Sequence, residues 1–243
     1  MRLQGKAALV TGGARRIGRA IALGLAGRGC HVAITYRTSA AEARQTVRQI
    51  RRRGRRAMAL AVDQRDPAQV RRVVEQVRRA FGRLDILVNN ASSFPRTPWA
   101  TVTEEQWEDV LSVNLSGPWA FSQSAGRIMK RQGSGKIIQI VDAAVYRPWA
   151  DYLPYCAAKG GLLTLTWGLA RALAPRVQVN AIAPGPILFA PGTSPSQKRA
   201  AVEKTLLKRA GGAEEVVRAV LFLAESDFVT GVVLPVDGGR LLA

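Results

Sequence analysis

Three side chains near the middle of the chain combine an acid, a phenol and an ammonium group. Tyr155 precedes Lys159 by four residues, and Asp142 lies thirteen residues before Tyr155. Positions four apart on a helix share one face, so Tyr155 and Lys159 can act together. A neighbouring ammonium lowers the pKa of a phenol, which predicts that Tyr155 gives or takes a proton near neutral pH. The position of Asp142 raises the question of which reaction uses an acid there.

A glycine-rich turn near the amino terminus is typical of a dinucleotide site. The stretch "LVTGGARRIGRAIALGLAGRG" runs from a strand through Gly12 and Gly18 into a helix that is predicted to start at Ile17. Glycines let the backbone approach a pyrophosphate, and a helix N-terminus offers unpaired N–H groups to it. Arg16 stands where a third glycine is expected, and its cation can face phosphate. The alternative is an ordinary glycine-rich turn between a strand and a helix.

The end of the second predicted strand indicates which dinucleotide binds. An NAD-selective turn would present an acid to the ribose diol, but this chain has Tyr36, Arg37, Thr38 and Ser39 there. A guanidinium and hydroxyl groups suit a ribose 2′-phosphate, so NADPH is the predicted cofactor.

Two further strand ends are expected to meet adenine and the ribose. They are Asp63 after the third strand and the run from Asn89 to Ser93, with Asn90, Ala91 and Ser92, after the fourth. Asp63 serves equally well as the cap of a turn.

Strands and helices alternate along the whole chain. The predicted strands are "AALVT", "HVAITY", "AMALAVD", "DILVNN", "KIIQIVD", "VQVNAIA" and "GVVLPVD"; the predicted helices are 17–28, 40–53, 67–81, 103–131, 155–173, 196–208 and 213–224. Nearly continuous apolar strands between helices predict a parallel sheet that is covered on both faces. The expected fold is α/β: one Rossmann-like, doubly wound domain spanning residues 1–243, with about seven strands.

A Pro- and Gly-rich segment follows the sixth strand. Loops at the carboxyl ends of the strands build the site in such sheets. Residues 183–212 are therefore predicted to form a lid over the substrate, within the single domain.

The formal charge of +19 raises nucleic acid as a partner, and much of it lies in residues 48–56 and 70–83. These segments have the pattern of solvated outer helix faces and lack interleaved aromatic residues, so nucleic acid is not the expected partner. No apolar run is long enough to span a bilayer, and no cleavage site follows the first residues, so we expect a cytoplasmic protein. The single histidine, His31, has no cluster of acids or cysteines around it, and no metal site is predicted.

The ordered motifs together resemble the short-chain dehydrogenase/reductase family over essentially the whole chain. They are "TGGARRIG", "NNAS", Asn114 in "SVNLSG", "YCAAK", and "PG" at Pro184 and Gly185. The resemblance implies an NAD(P)-dependent oxidoreductase in which Tyr155 donates a proton, Lys159 binds the nicotinamide ribose, and Asn114 holds a water relay. It also extends the cofactor site to Pro184, Gly185 and Ile187. A homotetramer built around the helices that start at Thr103 and Tyr155 is implied as well.

Most of that family carries a serine at the position of Asp142. A serine hydroxyl stabilises a developing alkoxide, whereas an ionised carboxylate would repel it. A carboxyl group hydrogen-bonded to Tyr155 would instead keep the phenol protonated or relay a proton to it. Such a site favours a substrate with N–H groups or a basic ring nitrogen, and reduction of a C=N bond fits.

The chain also resembles the pteridine reductase branch of the family, including the bacterial dihydromonapterin reductases. Arg16, the turn "TYRTSAAEA" and the run "NNASSF" ending at Phe94 match that branch. The resemblance implies that Phe94 stacks the pterin against the nicotinamide and that Ser92 binds the pterin or the cofactor. Arg16 and Leu188 complete the implied substrate site. Its position alone favours a core or lid residue, and the family match reverses this interpretation of Phe94.

The sequence therefore predicts NADPH-dependent reduction of a dihydropterin, such as dihydromonapterin or dihydrobiopterin, with dihydrofolate as a further candidate. A carbonyl reductase that acts on 3-oxoacyl, sugar or quinone substrates is the alternative within the family. A non-catalytic scaffold that binds NADPH or nucleic acid is the alternative from another class.

Overall fold

The structure is a computed structural model that describes residues 1–189 and 192–243. Seven parallel strands form one sheet in the order β3-β2-β1-β4-β5-β6-β7. Their bounds are Ala7–Val10 (β1), His31–Tyr36 (β2), Ala57–Ala61 (β3), Ile86–Asn89 (β4), Gly135–Ile140 (β5), Val177–Pro184 (β6) and Val233–Val236 (β7). The predicted α/β fold with a doubly wound parallel sheet is confirmed.

Helices cover both faces of this sheet. Their bounds are Arg16–Gly27 (α1), Ala40–Arg52 (α2), Pro67–Phe81 (α3), Glu104–Leu111 (α4), Gly117–Gln132 (α5), Leu153–Leu173 (α6), Pro195–Glu203 (α7) and Ala213–Glu225 (α8). Two buried apolar clusters lie on opposite faces: α1, α2 and α8 pack on one face, and α3 and α5 pack on the other. This double cover explains why β1 and β4 are buried at every position and, apart from Asn89 at the end of β4, apolar.

The helix predicted over residues 103–131 is wrong as one element. It divides into α4, a π-helical turn over Ser112–Ser116, and α5. Pro118 at the start of α5 has no backbone N–H to donate, so the regular i to i−4 ladder cannot continue through this point. The wider turn carries Asn114 and points toward the loop after β4, where Ser92 and Ser93 lie.

The register of the sheet brings separate parts of the chain to one edge. The strands run parallel, so the ends of β1, β2, β3, β4, β5 and β6 face the same way. Loops that carry the predicted functional residues follow each of these ends. Among the described residues, no helix is both long and apolar enough to cross a membrane.

At the other end of the sheet, where β1 and β4 begin, the buried carboxylate of Asp85 connects three parts of the fold. Asp85 is fully buried just before β4, and it accepts hydrogen bonds from the backbone N–H of Ala7 in β1 (2.8 Å) and from Arg83 (2.6 and 2.7 Å). Gln132 at the end of α5 donates a further bond of 3.2 Å. The ammonium of Lys6 lies 3.7 Å away.

We expect Asp85→Ala to lower the free energy of unfolding by about 3 kcal/mol, because it leaves a partly buried guanidinium and a buried N–H without their acceptor. Urea denaturation followed by circular dichroism measures the loss. Lys6→Gln is the matched control: its longer and more exposed contact should be worth less than about 1 kcal/mol. Equal losses in the two variants would contradict a special role for the buried carboxylate.

Candidate active site

The predicted acid and phenol are in direct contact. Asp142 follows β5 by two residues and caps a short 3-10 turn over Ala143–Val145, with its Oδ1 accepting from the backbone N–H of Ala144 at 2.8 Å. Tyr155 lies in the first turn of α6 and donates from its hydroxyl to Oδ2 of Asp142 at 2.9 Å. One carboxylate oxygen therefore holds the loop, while the other holds the phenol.

Burial dominates the proton affinities of this pair. It raises the pKa of the Asp142 carboxyl above its ordinary value, and it raises the pKa of the Tyr155 phenol well above 10.0, with the charge of Asp142 adding to the shift. The lowered phenol pKa that the sequence suggested for Tyr155 is therefore wrong. The physical reason is that desolvation and a neighbouring anion both disfavour the phenolate.

Lys159 lies on the same helix face as Tyr155, as predicted. Its ammonium is buried, donates to the carbonyl of Ile140 at 2.8 Å and lies 5.6 Å from the centroid of the Tyr155 ring. Burial lowers the pKa of Lys159 to about 8, although the charge of Asp142 opposes the shift. The lysine therefore changes its charge within the range in which enzymes are assayed.

Asn114 connects the π-helical turn to the loop after β4. Its Oδ1 accepts from the Ser92 hydroxyl (2.6 Å) and the Ser93 N–H (3.3 Å), and its Nδ2 donates to the carbonyls of Ser93 (2.9 Å) and Val110 (3.0 Å). These four contacts use the whole capacity of a side-chain amide. A water relay at Asn114 would require one of them to open.

The glycine turn has the close backbone approach that a dinucleotide site needs. Gly12 has a left-handed φ of 63°, and a side chain at Gly18 would lie 2.3 Å from the Gly12 carbonyl oxygen. Asn90 donates to the carbonyl of Thr11 at 2.9 Å and so fixes this turn to the end of β4. Arg16 is also left-handed, with φ at 51°, which is the conformation that the expected glycine would adopt freely.

A cavity of about 480 Å³ opens over this turn and the start of α1. All of the predicted cofactor residues that precede Lys159 line it: Gly12, Arg16, Ile17, Gly18, Tyr36, Arg37, Thr38, Ser39, Asp63, Asn90, Ala91 and Ser92. The lining has three arginines, Arg15 among them, and two acids, Asp63 and Asp109. The glycine cradle, the helix N-terminus and the cations fit an anionic dinucleotide.

Several residues of the lining were not among the predicted cofactor residues, and Gln64, Asp109 and Val113 are the least expected of them. Gln64 is buried and donates from its side chain to the carbonyl of Val113 at 2.5 Å, and Asp109 enters the cavity from α4. Neither Asp109 nor Val113 follows a strand end, so no strand-end signal in the sequence indicates them.

The residues predicted at the end of β6 and after it differ in their exposure to solvent. Pro184 ends β6, Ile187 is buried, and Leu188 has 40% of its surface exposed. Arg16 donates to the carbonyl oxygens of Leu188 (2.7 Å) and Phe189 (3.1 Å), so it holds this segment over the glycine turn. The prediction of a lid over residues 183–212 falls partly on Ala190 and Pro191, which lie outside the described residues.

Phe94 belongs to an aromatic wall at the mouth of the site. Its ring is 46% exposed and stacks in parallel on Tyr152, with centroids 4.3 Å apart and planes at 4°. The rings of Tyr155 and Trp149 meet it edge to face, at 4.6 and 5.9 Å. Tyr152 occupies one face of Phe94, so a substrate ring could stack only on the other.

The family comparison covers nearly the whole chain. A family model described as enoyl-(acyl carrier protein) reductase matches residues 12–240. Among curated proteins, the 3-oxoacyl-[acyl-carrier-protein] reductase FabG of Escherichia coli strain K12 is 37% identical over 100% of both chains. A ketoacyl reductase of the granaticin polyketide synthase from Streptomyces violaceoruber is 34% identical and covers 97% of this chain and 96% of its own length.

Solved structures agree in fold at the same level of identity. A short chain dehydrogenase from Burkholderia cenocepacia J2315 in complex with NADP is 38% identical, covers 99% of each chain and superposes with a TM-score of 0.93. A blue fluorescent protein from a metagenomic library in complex with NADPH has the same identity, coverage and TM-score. With these relatives and the glycine turn, tyrosine and lysine in place, the chain belongs to the short-chain dehydrogenase/reductase family.

Proposed function

We propose that this oxidoreductase uses NADPH to reduce a C=N bond in a pteridine ring and converts a dihydropterin to its tetrahydro form. Dihydromonapterin and dihydrobiopterin are the leading substrates, and dihydrofolate is a further one. The observation that carries the proposal is the 2.9 Å hydrogen bond between the Tyr155 hydroxyl and the Asp142 carboxylate. The acid occupies the position at which a ketone reductase needs a donor to an oxyanion.

The choice of NADPH follows from the charges of the cavity. Arg15, Arg16 and Arg37 line it, and β2 ends at Tyr36 without an acid that could bind an unphosphorylated ribose diol. The two solved relatives that carry NADP and NADPH support the same choice.

When bound, the nicotinamide supplies a hydride. The protein must then deliver one proton to the nitrogen of the reduced bond, and the Tyr155 hydroxyl holds a proton at the site because its pKa is raised by burial and by Asp142. Asp142 can return a proton to Tyr155 through their hydrogen bond, since burial raises the pKa of this carboxyl as well. Lys159 adds a positive charge next to both groups.

The aromatic wall suits a flat substrate. The exposed face of Phe94, supported from behind by Tyr152, offers a platform for a fused ring, and Trp149 closes one side. A ring held flat there would keep its reducible carbon at a fixed height above the platform, which lowers the entropic cost of reaction.

Reduction of a 3-oxoacyl carrier substrate is the second candidate. The names of the relatives favour it over a pteridine, since they are 3-oxoacyl and ketoacyl reductases. For that reaction Asp142 would have to be protonated so that it could donate to the oxyanion, and its raised pKa is in the required direction. A non-catalytic scaffold has less support, because Tyr155, Lys159 and Asn114 are all present in one buried cluster.

A homotetramer and a cytoplasmic location stay predictions. Apolar surface is available for an interface on the predicted helices, with Trp119 of α5 41% exposed and Trp167 of α6 48% exposed. Leu162 of α6, in contrast, is fully buried in the protein's own core.

We expect Asp142→Ser to lower kcat/KM for dihydropterins by about a hundredfold, because it removes the carboxyl group that serves the proton donor. Steady-state assays with NADPH compare dihydrobiopterin, dihydromonapterin and dihydrofolate with 3-oxoacyl thioesters. Asp142→Asn is the matched control, since it keeps the shape of the side chain and removes its proton transfer. If the wild type reduces only the thioesters, and Asp142→Ser improves that activity, the pteridine proposal fails and the carbonyl reductase is correct.

The pKa of Lys159 predicts a pH limit. Because burial lowers this pKa to about 8, the lysine is charged below pH 8 and loses its charge above it. We expect kcat/KM for NADPH to fall by up to about tenfold per pH unit above this value. Lys159→Met should have low kcat/KM at pH 7 and no step near pH 8. A step that persists unchanged in this variant would assign the limit to a different group.

A further inference from the structure

Arg65 joins the two acids of the cofactor cavity. Its Nε donates to both oxygens of Asp63 (2.9 and 3.0 Å), and its Nη2 lies 2.5 Å from Oδ2 of the same carboxylate. Its Nη1 donates to Oδ1 of Asp109 at 2.5 Å. Asp63 follows β3 and Asp109 belongs to α4, so one guanidinium neutralises acids from two walls of the cavity.

Arg37 lines the same cavity and has no such partner. No acidic side chain lies within ion-pair distance of it anywhere in residues 1–189 or 192–243. It lines one cavity with Asp63: the hydrogen bond from Arg65 chiefly holds the pKa of Asp63 below its usual value, and the charge of Arg37 adds to this effect. Asp63 could therefore compete for Arg37 if Arg65 did not hold it.

We propose that Arg65 is a positioning residue for ribose specificity: by holding Asp63 and Asp109, it leaves Arg37 available for the 2′-phosphate of the cofactor. The inference rests on the proposed use of NADPH. It assigns Arg65 no contact with the cofactor, and this separates its role from that of Arg37.

Arg65 exerts this effect through its positive charge and not through its shape. Without Arg65, two carboxylates beside the cavity would attract Arg37 and repel a phosphate dianion. The groups are partly exposed, with side chains 29% to 41% accessible, so solvent screens the effect and a moderate change in affinity is expected. The affinity for a nucleotide whose ribose lacks the 2′-phosphate should change little.

The test uses Arg65→Gln and two nucleotides that differ mainly at the ribose. Isothermal titration calorimetry on the cofactor-free protein compares adenosine 2′,5′-bisphosphate with 5′-AMP. We expect the variant to bind the bisphosphate about fivefold more weakly, while its affinity for 5′-AMP changes less than about twofold. The difference should shrink at high salt.

Two further variants separate the proposed role from a structural one. Asp63→Asn in the Arg65→Gln background removes one of the released acids and should restore part of the preference for the bisphosphate over 5′-AMP, a ratio that cancels any contact of Asp63 with the adenosine common to both nucleotides. Arg71→Gln is the matched control, because Arg71 is an exposed arginine on the neighbouring helix α3 and does not line the cavity. It should bind both nucleotides as the wild type does.

The possible outcomes are distinguishable. Equal weakening of both nucleotides by Arg65→Gln, or no recovery in the double variant, would mean that Arg65 only braces the cavity wall, and the proposal would be overturned. A wild type that binds 5′-AMP as tightly as the bisphosphate would instead refute the proposed use of NADPH, before any variant is compared.

Discussion

The hydrogen bond between Tyr155 and Asp142 constrains the rest of the site. It joins the end of β5 to the first turn of α6, and it pairs a buried phenol with a partly buried carboxyl group. Such a polar pair is stable only when its other hydrogen-bond donors and acceptors also have partners. The backbone N–H of Ala144 completes the carboxylate on one side, and Lys159 supplies a charge on the other. The bond therefore anchors both ends of the loop over residues 141–152, which contributes Trp149 and Tyr152 to the aromatic wall.

Arg16 combines a strained backbone conformation with side-chain contacts to a distant segment of the chain. A left-handed backbone costs a non-glycine residue roughly 1 kcal/mol, and a glycine would avoid that cost. The arginine side chain, however, reaches the carbonyls of Leu188 and Phe189 and so joins the first turn of the cofactor site to the segment after β6. Strain at a functional turn can therefore be offset by a contact that only a long cationic side chain makes.

Local signals in the sequence predicted most of the fold and much of the cofactor cavity. Strand ends and glycine spacing are encoded in neighbouring residues, which is why Gly12, Arg37 and Asn90 could be found from the sequence. Most of the missed features depend on tertiary packing. The stacking of Tyr152 on Phe94 and the bridge from Arg65 to Asp109 each join segments far apart in the chain. The pKa of Tyr155 depends on packing as well, because burial and not the spacing to Lys159 decides its direction. The π-helical turn at Ser112–Ser116 is local, and Pro118 is the one sequence signal for it.

Overall similarity and local chemistry point to different substrates for this protein. Relatives that are 34% to 37% identical cover nearly the whole chain, and solved relatives at 38% identity superpose with a TM-score of 0.93, so the similarity concerns the fold as a whole. The reacting bond is selected by far fewer atoms, chiefly those that receive or repel charge in the transition state. A single carboxylate beside the proton donor can therefore redirect the chemistry while it leaves overall identity almost unchanged. For this reason the proposed pteridine substrate rests on Asp142, whereas the overall similarity to 3-oxoacyl and ketoacyl reductases favours the second candidate.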